Sequence, residues 1–183
     1  MEQTDRLLEE VLIVRFQMGD ETAFEKLVER YQGRLRYFIR RLLGEADKAE
    51  DVLQNVWLTV LRELSNLRTP EAFSVWVYRI ARNKALNELR SKKRYVALRE
   101  DAPIPNVSEE QEQFSADDAA RMHAALEKIG PEHREVLTLR FLEQMSYQEI
   151  AAVIGCNIGT VRSRLYYGKR ALRREMEEMS NAD

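Results

Sequence analysis

The sequence predicts an all-α protein made of two small helical domains that an acidic linker joins. Of its 183 residues, 33% are charged and only seven are Gly and four Pro, too few turn residues for a β-sandwich or barrel. Apolar residues recur at three- and four-residue spacing through both halves of the chain. Between the halves this spacing is lost, and the stretch from Glu100 to Asp118 holds seven acidic residues and no basic residue.

The first two helices are predicted in residues 5–18 and from Thr22 onward. Thr22 and Glu25 have the spacing of a capping box, and Gly44 is placed to end the second helix. The apolar residues of that helix step by three and four: Phe24, Leu27, Val28, Tyr31, Leu35, Phe38, Ile39 and Leu42.

Two more helices are predicted before residue 95. Asp47 with Glu50 is an N-terminal signal for the third helix, and Thr69 with Pro70 begins the fourth, because Pro suits the first helical position. The apolar residues of the third are Val52, Leu53, Val56, Trp57, Val60, Leu61 and Leu64. Those of the fourth are Phe73, Trp76, Val77, Ile80, Ala81 and Ala85.

The C-terminal half is predicted to contain shorter helices. Gly130 with Pro131 separates the first two, whose apolar positions are Ala119, Met122, Leu126, Ile129, Val136, Leu137, Leu139 and Phe141. Ser146 and Glu149 form a second capping box, which opens a short helix that ends at Gly155.

A short helix, a tight turn and a second helix form a helix-turn-helix. Gly155 permits the turn and Asn157 can cap the second helix, with Ile158, Val161 and Leu165 facing inward. The residues expected to face outward are Thr160, Arg162, Ser163, Arg164, Tyr166 and Tyr167. Arg, Ser and Thr on an exposed helix suit base edges and phosphates in a major groove. The alternative is a helical hairpin with a solvated basic face.

A second basic block lies in the N-terminal half. From Arg79 to Arg94 there are seven basic residues and one acidic, so the net charge of −2 conceals two basic surfaces. Aromatic, amide and basic residues share the fourth helix, a combination that suits single-stranded nucleic acid. The aromatics have a simpler interpretation as core, which we favour for Phe73 and Trp76. The polar residues expected outside the core are Arg79, Arg82, Asn83, Lys84 and Asn87.

Composition excludes several other classes of function. One Cys and two His leave no thiolate zinc cage and almost nothing for a His-based metal site. We expect Cys156 to be a small half-buried hydrophobe. No catalytic or phosphate-binding motif is present, so we expect no enzyme and no cofactor. Without a run of about 18 apolar residues or a secretory signal, the expected location is the cytoplasm.

Five segments, in order along the chain, resemble the extracytoplasmic-function (ECF, group four) sigma factors of bacterial RNA polymerase, which belong to the sigma-70 family. They are FEKLVERY (24–31), AEDVLQNVW (49–57), AFSVWVYRIARN (72–83), LRFLEQMSYQEIA (139–151) and GTVRSRL (159–165). The resemblance covers about residues 20–95 and 119–175 and therefore nearly the whole chain.

The resemblance implies a division of labour. Residues 1–95 look like sigma domain two, which holds core polymerase and melts the −10 element. Residues 96–118 look like the flexible acidic linker, and residues 119–183 look like sigma domain four, which reads duplex DNA at the −35 element. The implied partners are core RNA polymerase, promoter DNA and an anti-sigma factor, with no membrane insertion by the chain itself.

The resemblance also implies site residues. The segment that docks on polymerase corresponds to Glu50, Asp51, Gln54 and Asn55. The residues expected to capture a flipped-out −10 base and the non-template strand are Asn66, Leu67, Arg68, Arg79, Arg82, Asn83, Lys84 and Asn87. The residues expected to contact the −35 element are Thr160, Arg162, Ser163, Arg164, Tyr166, Tyr167, Lys169 and Arg170.

The chain departs from the family pattern at two places. Family members often carry Glu where Asn55 stands, and many carry Arg-Ala where Tyr167 and Gly168 stand. Gly168 inside a helix costs up to about 1 kcal/mol against Ala. A stand-alone helix-turn-helix regulator with an N-terminal sensor or dimerisation domain stays open as an alternative, and it would bind duplex DNA without polymerase.

Overall fold

A computed structural model describes residues 3–44, 46–91 and 119–180, and these residues form helices and turns without a strand. The chain divides into two compact units, one formed mainly by helices of the N-terminal half and one mainly by helices of the C-terminal half. The predicted fold class is confirmed. The predicted linker, residues 96–118, lies outside the described residues.

In the described part of the first unit there are four α-helices and two short 3-10 turns. The helices are α1 (Gln3–Gln17), α2 (Glu21–Leu43), α3 (Ala46–Glu63) and α4 (Phe73–Ser91), and the 3-10 turns are Leu64–Asn66 and Pro70–Ala72. Helix α2 contacts α1, α3 and α4. It carries a buried face of Ala23, Leu27, Tyr31, Leu35, Phe38 and Ile39.

An aromatic cluster joins α2 to α4. The ring of Tyr31 lies 5.3 Å from that of Phe73, and the ring of Phe38 lies 5.2 Å from that of Tyr78, both edge to face. All four side chains are fully buried. Such pairs contribute about 0.5–1.5 kcal/mol beyond the burial of their area. The core interpretation is therefore confirmed for Phe73 and holds for Tyr78, whereas Trp76 is half-buried.

A buried polar pair joins α1 to α2. The hydroxyl of Tyr31 donates a hydrogen bond to a carboxylate oxygen of Glu9, which is itself buried. Burial raises the pKa of the Glu9 carboxyl, against the opposing effects of this hydrogen bond and of nearby arginines. At the surface, Arg30 pairs with Asp5 at 2.9 Å.

The predicted capping box at Thr22 and Glu25 is wrong. Helix α2 begins at Glu21, and the cap is Asp20, whose side chain accepts a hydrogen bond from the backbone N–H of Thr22 at 3.1 Å. The Thr22 hydroxyl donates to the same carboxylate at 2.6 Å, so it supports the cap instead of forming it. Hydrogen bonds from Thr22 and Arg15 lower the pKa of Asp20, because they favour its ionised form.

The other predicted boundaries of the first unit agree more closely with the structure. Gly44 ends α2 in the left-handed conformation at φ 70°, and its N–H bonds to the carbonyl of Arg40. Helix α3 begins at Ala46, so Asp47 lies inside its first turn instead of before it. Pro70 occupies the first position of a 3-10 turn that leads into α4.

Within residues 119–180, the second unit contains four α-helices and one π-helical turn. The helices are α5 (Ala119–Lys128), α6 (Pro131–Leu137), α7 (Tyr147–Ile154) and α8 (Ile158–Ser180), and the π turn is Thr138–Leu142. Helix α8 packs on α5 and α6. The regular α-helix therefore ends at Leu137, and Leu139, predicted on the same helix, lies in the π turn, where it is fully buried.

The predicted boundaries of the helix-turn-helix are confirmed. Glu149 N–H donates to the Ser146 hydroxyl oxygen at 3.2 Å, and Ser146 N–H donates to the Glu149 carboxylate at 2.7 Å. Gly155 ends α7 at φ 76°. Asn157 caps α8 by accepting a hydrogen bond from the N–H of Thr160 at 2.7 Å. Each of these contacts joins residues close in sequence, which is why the pattern was readable.

Gly168 allows a close approach of α8 to α6. A Cβ at this position would lie 3.2 Å from the Cβ of His133 and 3.3 Å from a methyl carbon of Leu137, tighter than ordinary van der Waals contact. The lower helix propensity of glycine is thus accompanied by closer helix packing.

Candidate nucleic-acid and polymerase interfaces

One exposed stripe runs along α4. Arg79, Asn83 and Asn87 are exposed and follow one another at four-residue steps, so their side chains lie on one side of the helix. Lys84 is half-buried beside them. The opposite side carries the buried Phe73, Val77, Ala81 and Ala85. This stripe presents one guanidinium and two amides, groups that are able to donate hydrogen bonds to phosphates and base edges.

Arg82 does not belong to this stripe, and its predicted outward position is wrong. Its side chain is only 8% exposed. It is not free, since it interacts with a neighbouring group. A buried guanidinium is tolerated when it is partnered, and helix periodicity alone does not show which arginine finds a partner.

The loop between α3 and α4 carries the other predicted −10 residues. Asn66 and Arg68 are exposed and Leu67 between them is half-buried. Two backbone hydrogen bonds close its turns, from Leu67 N–H to the Leu64 carbonyl at 3.1 Å and from Ala72 N–H to the Thr69 carbonyl at 3.0 Å. The loop therefore displays an amide and a guanidinium just before the basic helix.

Helix α1 contacts both turns of this loop, a feature that sequence reasoning missed. The side-chain amide of Gln17 donates to the carbonyl of Leu67 at 2.8 Å and to the carbonyl of Leu64 at 3.2 Å. These partners are 50 and 47 residues away in sequence. No local pattern predicts such a contact.

The four predicted polymerase contacts share one exposed side of α3. Glu50, Asp51, Gln54 and Asn55 are all exposed. Glu50 pairs with the guanidinium of Arg36 on α2 at 2.7 Å. The Asn55 amide donates to the backbone carbonyl of Asp51 at 2.9 Å, one turn earlier. The side chains of Asp51 and Gln54 thus lie beside one amide and one carboxylate that already have contacts within the unit.

Two leucines extend this side of α3. Leu58 is 48% exposed and Leu61 is 47% exposed, although Leu61 follows the apolar spacing that predicted the helix. At 100° per residue, Leu58 points between the directions of Gln54 and Asp51, and Leu61 points close to the direction of Gln54. The two leucines are three residues apart and so adjacent on the helix, and contiguous exposed apolar side chains are a feature of protein interfaces. The sequence does contain a sign of this surface: with Leu58 and Leu61 included, the apolar residues of α3 cover more than the single side that the core buries.

The N-terminal half of α8 has an exposed side. Arg162 and Arg170 are exposed, whereas Thr160, Tyr166 and Lys169 are half-buried. The guanidinium of Arg170 lies 5.7 Å from the centre of the Tyr166 ring, and Tyr167 stacks edge to face on Tyr166 at 5.2 Å. Arg162, Tyr166 and Arg170 succeed one another at four-residue steps and so share one side of the helix.

Three orientations predicted for α8 are wrong. Ser163 is 4% exposed and its hydroxyl donates to the Thr160 carbonyl at 3.0 Å. Arg164 is 5% exposed, because it lies between the buried Val161 and Gly168 on the packed side of the helix. It interacts with a neighbouring group. Ile158, predicted to face inward, is 37% exposed.

The described residues include no group of three or more His, Cys, Asp or Glu side chains placed to hold a metal ion. Among the same residues, no helix is long and apolar enough to span a membrane. Cys156 is half-buried at the turn, as predicted.

Comparison with known proteins identifies the family. Residues 27–95 match the model of sigma-70 region 2, and residues 119–172 match that of sigma-70 region 4. The RNA polymerase sigma-H factor of Pseudomonas aeruginosa is 34% identical, covering 92% of this chain and 93% of that protein. The ECF RNA polymerase sigma-E factor of Escherichia coli is 31% identical, covering 96% and 98%. The chain belongs to the ECF group of the sigma-70 family.

This sigma factor is also similar to solved structures. One is the sigma factor RpoE from Bartonella quintana in complex with the anti-sigma factor NepR, with a TM-score of 0.66, 25% identity and coverage of 84% of this chain and 96% of that one. The fold is shared with CnrH, solved with the cytosolic domain of CnrY, at a TM-score of 0.64 and 24% identity over 96% and 99% of the two chains.

Membership in the family states the biochemical role. The sigma factor binds core RNA polymerase and directs promoter-specific initiation of transcription by recognising −10 and −35 elements. The region 2 match also answers the alternative of a stand-alone regulator, because most of the N-terminal half matches a sigma-70 region instead of a sensor or dimerisation domain.

Proposed function

We propose that the two units divide promoter recognition between them, as residues 1–95 and 119–183, with residues 96–118 connecting them. The first unit docks on polymerase and captures the melted −10 strand, and the second reads the −35 duplex. The observation that carries this proposal is that each matched region bears its own stripe of arginine-containing side chains on a helix held by a buried core, with amides in the stripe of α4 and a tyrosine in that of α8.

The −10 surface combines the α4 stripe with the loop before it. Arg79, Asn83 and Asn87 are exposed along the helix, and Asn66 and Arg68 are exposed in the loop. Extruding a base from the duplex costs a few kcal/mol, which contacts to the base and neutralisation of phosphates offset. Leu67 and Lys84, both half-buried, border these contacts, and the buried Arg82 acts by holding α4 in place.

The −35 surface is the exposed side of α8. Arg162 near the helix N-terminus suits a guanine edge, because its guanidinium donates in a bidentate geometry. Thr160, Tyr166, Tyr167, Lys169 and Arg170 surround it and suit phosphates. Ser163 and Arg164 are buried, so we propose that they orient the helix instead of touching DNA.

The polymerase surface is the exposed side of α3. Asp51 and Gln54 supply polar contacts, and Leu58 and Leu61 supply the apolar area that a stable protein interface needs. Glu50 and Asn55 flank them. Asn55 stands where family members often carry Glu, so this surface has one fewer charge. The Asn55 amide instead donates a hydrogen bond to the Asp51 carbonyl.

We further propose control by an anti-sigma factor and action in the cytoplasm. The support is that RpoE from Bartonella quintana was solved with an anti-sigma factor. The chain needs no catalytic residue or cofactor of its own in this role, because polymerase performs the chemistry. A proteome-wide pull-down with the full chain should recover polymerase and one inhibitory protein, and recovery of polymerase alone would count against the inhibitor.

The first test is transcription by bacterial core polymerase on a pool of promoter fragments, with and without the chain. Start sites that require the chain should share −10 and −35 sequences. The free chain should bind the same duplex only weakly, and nanomolar site-specific binding without polymerase would contradict the proposal.

The second test assigns the −35 surface. Arg162→Ala should weaken promoter use by about 1–3 kcal/mol, roughly five- to 150-fold, on a template with the shared −35 sequence. The exposed Lys128 on α5 provides a matched loss of charge, and Lys128→Ala should change little. On a template whose −35 sequence is scrambled, Arg162→Ala should no longer matter. An equal effect on both templates would remove Arg162 from base recognition.

A further inference from the structure

The structure assigns to Gln17 the role of a positioning residue for −10 recognition. This inference rests on the proposed function of the loop at Asn66–Arg68. Gln17 is the last residue of α1 and its side chain is exposed. Its single amide nitrogen donates to two backbone carbonyls of the loop, those of Leu64 and Leu67.

The geometry uses the full donor capacity of the side chain. A glutamine amide carries two N–H donors, and the two carbonyls lie at 3.2 Å and 2.8 Å from the nitrogen. Leu64 is fully buried, so one of the two anchors belongs to the core, while Leu67 is half-buried beside the exposed residues of the loop. Gln17 thereby ties the displayed part of the loop to its buried base.

The carbonyl of Leu67 is the closer of the two partners and belongs to the centre of the loop. Asn66 and Arg68 are its immediate neighbours, so the orientation of the Leu67 peptide directs both exposed side chains. Helix α1 also contacts the second turn of the loop, Pro70–Ala72. Helix α1 therefore contacts the loop on both sides of the displayed residues.

A loop that captures an extruded base benefits from being ordered before the base arrives, because ordering during binding weakens selectivity and affinity. Gln17 supplies this order without contacting DNA itself. Its loss should therefore reduce discrimination at the extruded −10 base more than it reduces overall polymerase binding.

The test uses two variants of similar size that lack the donors, Gln17→Met and Gln17→Glu, in the full chain with core polymerase. The readout is the ratio of transcription from the cognate promoter to that from a template with a changed base at the extruded position. We expect this ratio to fall roughly two- to tenfold, the range that corresponds to one or two modest hydrogen bonds. Polymerase affinity and the effect of scrambling the −35 element should stay unchanged.

Two further variants make the outcomes distinguishable. Gln32 is an exposed glutamine of α2, and Gln32→Met should leave the ratio as it is. Asn66→Ala should lower the ratio, because it removes an exposed side chain of the loop that we propose contacts the −10 strand. If Asn66→Ala lowers the ratio and both Gln17 variants keep it, the inference is overturned and the proposed function stands. If Asn66→Ala also has no effect, the −10 assignment of the loop fails and the inference fails with it.

Hydrogen exchange provides a measurement independent of transcription. The Leu67 N–H donates to the Leu64 carbonyl, which Gln17 also contacts. In the Gln17→Met variant, hydrogen exchange at the Leu67 N–H should accelerate several-fold, while amides in α4 should exchange as in the wild type. Unchanged exchange at Leu67 would show that the side chain does not order the loop.

Discussion

In the two units, the protein helices that carry the proposed DNA surfaces are held in place by different means. In the first unit, α4 is fixed by a buried aromatic cluster, in which Phe73 and Tyr78 pack on side chains of α2. In the second unit, α7 and α8 are set by hydrogen bonds between residues three apart, at Ser146 with Glu149 and at Asn157 with Thr160. The proposed DNA surface is thus supported by packing between distant residues in the first unit, whereas in the second unit local caps add to the packing of α8 on α5 and α6.

The difference teaches where each surface is vulnerable. A core aromatic supports helices that are far apart in sequence, so its removal affects the whole first unit. A cap supports one helix end, and its removal leaves the packing of α8 on α5 and α6 in place. Both tryptophans of the chain, Trp57 and Trp76, lie in the first unit, so their fluorescence reports that unit alone.

The largest effect is expected from Phe73→Ala. The side chain is fully buried against Tyr31, so its loss leaves a cavity and should destabilise the first unit by about 3–5 kcal/mol. The measurement is urea unfolding followed by tryptophan fluorescence. Val14 is 43% exposed on α1, and Val14→Ala serves as the control with a change of less than about 0.5 kcal/mol. Equal losses for the two variants would show that the burial of Phe73 against Tyr31 does not stabilise the first unit.

A smaller effect is expected from Ser146→Ala, which removes the hydroxyl that accepts from Glu149 N–H. The loss of this cap should cost about 1 kcal/mol, and Ser146→Asp should restore most of it because Asp is also a good cap. Hydrogen exchange in the first turn of α7 measures the change. The urea unfolding of the first unit, followed by tryptophan fluorescence, should stay the same as in the wild type. A loss as large as that of Phe73→Ala would show that the Ser146 cap supports more of the second unit than one helix end.

The smallest effect at neutral pH is expected from Glu9→Gln, and it should depend on pH. Burial raises the pKa of Glu9 in the folded state above its ordinary value of 4.5, so the folded chain retains a proton that the unfolded chain has released. Glu9 therefore lowers the free energy of unfolding as the pH rises from 4.5 through the raised pKa. Glu9→Gln should remove this decline.

The check is urea unfolding of wild type and Glu9→Gln at several pH values, again by tryptophan fluorescence. The difference in stability should grow in favour of the variant as the pH rises and then level off. A constant difference from acid to neutral pH would show that Tyr31 and the nearby arginines fully offset the burial of the carboxylate.

Local signals in the sequence predicted the helix boundaries of the second unit well, because a capping box and a left-handed glycine act through bonds between near neighbours. The same kind of signal was wrong at Thr22, since Asp20 two residues earlier offered a better acceptor for the first free N–H groups. Neighbouring caps compete, and the sequence does not rank them.

The orientation of charged side chains was harder to predict. Arg79 and Arg82 occur in the same helix, yet one is exposed and the other is 8% exposed. Arg162 and Arg164 differ in the same way on α8. Helical spacing defines which residues share a side, but the neighbouring helices decide where the packed side ends.

The sequence by itself determined the helical class, the two units, the helix-turn-helix and, through five segments, the family. These depend on spacing, caps and residue types, which act over a few positions. Only the tertiary structure decided that Arg82, Ser163 and Arg164 are buried, that Leu58 and Leu61 are exposed, and that Gln17 contacts the loop before α4. These contacts join residues far apart in the chain, and burial depends on how whole helices pack against one another.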